Sequence, residues 1–167
     1  MAYVSFEESQ YFRSSWVGLF VFVIVILSAV LPFLIPGEGQ QSREIVLVSL
    51  MPLAILVLFW FMGLKTRIDK DGIYYRFFPF HFKEKYIAWA DVEKMEVIQY
   101  SPLADYGGWG IRYGRKGKAF NVSGNKGLFL TLKSGKHLLF GTKKEEEMRE
   151  VVGLIARNEL KHTEKSL

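Results

Sequence analysis

Cysteine is absent from this 167-residue chain, which excludes disulfides and thiolate metal sites outright. Histidine is scarce. His81, His137 and His162 stand far apart, and none falls in an H-x-x-H or H-E-x-x-H spacing. Neither a G-x-S-x-G nor a phosphate-loop sequence occurs, and Gly108–Gly114 is glycine-rich without the G-x-G-x-x-G spacing. The acidic run Glu145–Glu147 reads as a helix start rather than a metal site. These gaps leave no residue to name as catalytic, cofactor-binding or metal-ligating. The expectation is a non-enzymatic protein with no cofactor and no small-molecule substrate; a membrane-bound enzyme is the remote alternative.

Charge is missing over two long stretches. No ionisable side chain lies between Arg13 and Glu38, or between Glu44 and Lys65. The apolar runs Trp16–Ile35 and Ile45–Leu64 are each 20 residues long. As helices, at about 1.5 Å per residue, each would rise roughly 30 Å, the thickness of a bilayer's hydrocarbon core. A chain this short has too little interior to bury two such helices. The first run is too long, and its leader too acidic, for a cleaved signal peptide. Pro32 and Pro52 are tolerable as kinks. The expected arrangement is an N-terminal segment over 1–13, then a transmembrane helical hairpin over 14–64 with helices near 16–35 and 45–64.

The charge that is present is uneven. Residues 1–64 hold 2 Lys+Arg against 4 Asp+Glu, and 65–167 hold 20 against 13, so the two parts carry −2 and +7. Lys and Arg collect on cytoplasmic flanks of membrane helices. Lys65 and Arg67 follow the second run directly, which places both termini in the cytoplasm. Trp16, Trp60, Lys65 and Arg67 are the expected membrane-interface anchors.

From residue 65 to about 160 the pattern changes to short aromatic and β-branched runs broken by turns. Thr66–Asp69 and Ile73–Phe78 flank a turn at Lys70-Asp71-Gly72, and Pro79 ends the second run. Phe82–Ile87 and Glu93–Tyr100 are further strand candidates. Trp109, Ile111 and Tyr113 share one parity, read as core, before a turn around Arg115–Lys118. Leu128, Leu130 and Leu132 alternate up to Ser134-Gly135, and Leu138 and Phe140 return. Thr142 with Glu145 reads as a capping box. Met148, Val151, Val152 and Ile155 then form one apolar stripe on a helix over about 143–160, with a polar tail at 161–167. Seven to eight antiparallel strands closed into a small barrel, with the helix over its opening, satisfy this pattern.

Two apolar helices followed by Arg67-Ile-Asp-Lys-Asp-Gly-Ile73, Trp89-Ala-Asp-Val92, Asp105-Tyr-Gly-Gly-Trp-Gly-Ile-Arg112 and Leu128–Thr142 resemble the bacterial pleckstrin-homology-like membrane proteins. The resemblance spans nearly the whole chain. It implies a seven-strand barrel capped by a C-terminal helix, in a multi-pass protein of the bacterial inner membrane. The loop that in phosphoinositide-binding domains carries Lys and Arg is here Asp69-Lys70-Asp71-Gly72, acidic and repellent to phosphate.

The candidate contact site is the basic hairpin Arg112, Arg115, Lys116 and Lys118, with Lys126 nearby. Each cation near an anionic leaflet contributes about 1 kcal/mol. Solvated turn charge is the plain alternative. The leading functional reading is an interaction module that recruits or regulates a protein partner, a second copy of the chain included. Charge-based sensing of membrane lipid headgroups is the alternative. Nucleic acid is not expected, because no binding motif accompanies the basic pI.

Overall fold

A computed structural model describes residues 5–34 and 54–164. The chain forms two compact units: one takes in the chain up to Gln10 and everything from Leu64 onward, the other is Tyr11–Gly63.

In the smaller unit a 3-10 turn, Phe12–Ser14, leads into helix α1, Trp16–Leu34. The Ser15 hydroxyl accepts from the Gly18 N–H at 3.2 Å, satisfying one of the orphan donors of the first turn. Only glycine fits at 18, since a Cβ there would lie 2.0 Å from the Phe12 carbonyl oxygen. Residues 54–61 form a second helical segment, α2. The Phe12 N–H donates to the Met62 carbonyl at 3.0 Å, and the Phe12 and Phe59 rings meet edge-on at 5.7 Å.

The expected transmembrane hairpin is corrected here. Among the described residues no helix is long and apolar enough to cross a membrane. A hairpin needs two spans, and the described part of the second run is helical over 54–61 alone, a rise of roughly 12 Å. Gly63 and Leu64, expected to finish that helix, open strand β2 instead. Hydrophobicity alone does not separate a buried strand from a helix end. The stretch 35–53, with the link and most of the second run, lies outside the described residues. Multi-pass placement in an inner membrane, with both termini on one side, loses its basis along with the two spans.

Among the described residues there are nine strands: β1 Phe6–Tyr11, β2 Gly63–Ile68, β3 Gly72–Phe78, β4 Lys85–Ala88, β5 Val92–Gln99, β6 Gly110–Gly114, β7 Gly117–Asn121, β8 Lys126–Leu132 and β9 His137–Thr142. They form a four-stranded sheet, β1-β2-β3-β4, and a five-stranded sheet, β5-β8-β9-β7-β6. This replaces the expected single antiparallel barrel. The β8–β9 hairpin inserts β9 between β8 and β7, so β9 runs parallel to β7, with Phe120 opposite Phe140. The hairpin registers match the alternation in the sequence: Leu128 faces Phe140, Leu130 faces Leu138, and Gly135 closes the turn at φ +77°.

Strand parity makes the core. Phe120, Phe140, Leu128 and Leu130 share one face of the five-stranded sheet and are buried. Tyr75 of β3 packs on that face, its ring 5.0 Å from Phe120 and 4.8 Å from Phe140, so the two sheets join as a sandwich. Ala119 and Leu139 point the other way and pack with Tyr100 and Tyr106 in a smaller core behind the sheet. Tyr106 belongs to a short helix α3, Pro102–Tyr106.

Helix α4, Glu145–Glu164, packs on β5 and β8, burying Met148 and Val151 of the expected stripe. Its start departs from the expected capping box. The Thr142 hydroxyl accepts from the Lys144 N–H at 2.9 Å, but Glu145 turns away to Arg149 and Lys126. A carboxylate from the far end of the chain takes its place: Thr142 Oγ1 donates to Glu8 Oε2 at 2.6 Å, and the Lys143 N–H donates to Glu8 Oε1 at 2.9 Å. Gln10 Nε2 donates to the Gly141 carbonyl at 2.8 Å. Residues 6–11, read from the sequence as part of a separate leading segment, are thus an edge strand that fastens β9 and the start of α4.

Candidate functional site

The end of β3 and the connection that follows it carry four phenylalanines in six residues, Phe77-Phe-Pro-Phe-His-Phe82. Pro79 has no N–H to give a sheet ladder, so pairing stops there. The Phe78–Pro79 peptide is cis. Side chains alternate across the turn. Phe77 and His81 point inward and are buried, while Phe78, Phe80 and Phe82 point out, Phe80 at 65% exposure and Phe82 at 79%. The outward Phe78 and Phe82 rings meet edge-on at 6.3 Å.

The turn is clamped from inside. The His81 N–H donates to the Phe77 carbonyl at 2.8 Å, and the Phe77 N–H donates to His81 Nδ1 at 3.3 Å. The second bond requires Nδ1 to be unprotonated, which puts the imidazole proton on Nε2. The His81 ring lies 5.7 Å from both Tyr75 and Phe120. Burial, and then the charges of Lys85 and Lys118, hold its pKa below the ordinary histidine value.

The basic hairpin does not act as one cluster. Tyr113 pairs with Lys118 and Arg112 with Ala119, so Arg112 and Lys118 leave opposite faces of β6–β7. Arg112 Nε donates to the Trp109 carbonyl at 3.0 Å. Lys116 lies 3.1 Å from Asp105, whose carboxyl is held below its usual range by the Ser101 N–H and then by Lys116. Lys126 lies 3.2 Å from Glu145. Arg115 is exposed at the tip. Lys118 lies on the Tyr113 face, its ammonium 4.9 Å from the centroids of both Tyr113 and Phe120, and Phe120 in turn lies 5.7 Å from the His81 ring. Tyr113 is not core, as its parity suggests, but 76% exposed, because β6 is an edge strand with no layer above that end.

The expected membrane-interface anchors have local partners or other settings. Lys65 pairs with Glu7 at 2.7 Å, and Arg67 pairs with Asp69 at 2.8 Å while covering the Tyr74 ring at 4.1 Å. Arg67 also reaches Glu84 at 3.9 Å. Trp16 and Trp60 are exposed in the smaller unit, where Arg13 lies 5.8 Å from the Trp60 ring. A cleft of about 210 Å³ in that unit is lined by Arg13, Leu19, Phe22, Leu56, Phe59 and Trp60.

Reading the sequence as a strand to Phe78, a stop at Pro79 and a second strand from Phe82 conceals the aromatic turn. The signal was the aromatic density around a proline: a turn of six residues has too little interior for four phenylalanine rings. No family model matches the chain, and no curated protein matches it in sequence.

Proposed function

We propose that this chain is a binding module without chemistry of its own, which engages its partner through the Phe78–Phe82 turn. One observation carries the reading: three phenylalanine side chains stand outward from a turn whose other two inner residues, Phe77 and His81, are fixed in the core. Exposed aromatic rings in contact with one another carry an unfavourable hydration cost that burial against a partner removes, about 1.5–3 kcal/mol for each ring fully covered. A clamped backbone loses little further entropy when it binds.

The test is site-directed photo-crosslinking of the full chain in cells that produce it. A benzoylphenylalanine replaces Phe80 in one form and Leu103, exposed on α3, in another. The expected result is a discrete adduct from position 80 that disappears when Phe82→Ser is added, with none from position 103. Equal labelling at both positions, or none at 80, would overturn the proposal.

A further inference from the structure

The identity of the partner rests on the reading just given, that the turn is a binding element. We propose that the turn seats on an anionic lipid surface, with Phe80 and Phe82 entering the headgroup layer and Lys83, Lys85 and Lys118 meeting the acidic headgroups. This is contact from one side and requires no spanning helix. Among the described residues no carboxylate lies within ion-pair distance of Arg76, Lys83, Lys85 or Lys118, although Lys65, Arg67, Lys116 and Lys126 all have one. The one acid within the turn's trailing arm, Glu84, is drawn to Arg67. Unpaired positive charge therefore stands beside the aromatic turn, as it also does at Lys70, Arg115, Lys133 and Lys136 among the described residues. Lys83 and Lys85 follow Phe82 closely in the chain, and the Lys118 ammonium lies 4.9 Å from the Phe120 ring, itself 5.7 Å from the His81 ring beneath the turn.

Shape points the same way. The rings protrude, and a protein partner would need a pocket for each, whereas a headgroup layer yields around them. Aromatic side chains settle at the boundary between headgroups and acyl chains, and neighbouring lysines add attraction to acidic lipids. Tyr113, exposed beside Lys118, extends the same surface.

Because the chain has no cysteine, Phe82→Cys gives a unique attachment point for an environment-sensitive nitrobenzoxadiazole dye. The labelled full chain is mixed with vesicles of phosphatidylcholine alone, or of phosphatidylcholine with phosphatidylserine at three to one, at low and high salt. The expected result is a blue-shifted, brighter emission with the acidic vesicles only, reversed by salt, and no change from a dye at Leu103→Cys. In the labelled chain, K83A and K85A should each weaken partitioning about fivefold, and F80A about tenfold. The pair K83E and K85E should move preference to vesicles carrying a cationic lipid, a gain that a misfolded chain does not give. No response at 82, an equal response to neutral vesicles, or an equal response at 103 would overturn the inference. A silent dye with a protein adduct at position 80 rejects lipid and leaves the binding reading standing; a silent dye with no adduct ends both.

Discussion

Removing the Glu8 carboxylate tests the architecture most directly. In Glu8→Ala the Thr142 hydroxyl, 2% exposed, loses its acceptor in a place water does not reach. The Lys143 N–H loses its partner at the start of α4, where a negative charge also opposes the helix dipole. A hydrogen bond to a charged group contributes about 1.5–3 kcal/mol, but the partly buried Lys143 N–H regains water when freed. The expected loss is therefore about 2–3 kcal/mol rather than the sum of two full bonds. Glu8→Gln keeps one acceptor and no charge, and should lose about half as much. Urea unfolding of the full chain, followed by tryptophan fluorescence, gives the difference; an unchanged slope with denaturant shows that the surface exposed on unfolding is the same. A double-mutant cycle with Thr142→Val should return a coupling above about 1 kcal/mol. If Glu8→Ala falls within about 0.5 kcal/mol of the parent, or the two changes simply add, the carboxylate is not the fastening described here.

Acid should loosen the aromatic turn. The His81 pKa is depressed below 6.5, so the unfolded chain takes up the proton first, and stability is full above that value and lost as pH falls below it. Faster exchange of the Phe77 and His81 amides in mildly acidic buffer, absent in His81→Gln, checks this. Burial raises Tyr100 to about 12 against an unfolded value of 10.0, so stability should instead fall as pH rises through that interval. Ultraviolet titration of tyrosinate, with Tyr100→Phe as reference, reads it. Phe120→Ala, which empties the space between Tyr75 and Phe140, should cost about 3–5 kcal/mol in the same urea assay. Gly114→Ala would place a Cβ 2.1 Å from the Asp105 carbonyl oxygen, and should separate α3 from β6 and lower the melting temperature.

Local chemistry made parts of this molecule legible from its residues. The β8–β9 hairpin follows from leucine alternation around Ser134-Gly135, and the α4 stripe from the spacing of Met148 and Val151. Long-range pairing was not legible. Nothing near Thr142 shows that its partner is Glu8 rather than Glu145, and nothing in β7 shows that it lies beside β9. The apolar run to Leu64 misleads because a strand entering a core and a helix entering a membrane use the same side chains. In the candidate site, the basic residues were visible as a list, but strand parity divides them. Only Lys118 ends up beside the aromatic turn, and the turn itself was concealed by reading its rings as two strands.

The fastening of β1 also sets an order of events during synthesis. Glu8 and Thr142 are separated by 134 positions, which at about 5–20 residues per second is a wait of roughly 7 to 27 seconds on the ribosome. Until then the earliest strand is held on its sheet through β2 alone, without the carboxylate contact to Thr142. Any excised fragment beginning after residue 63 is therefore a sheet with one strand too few.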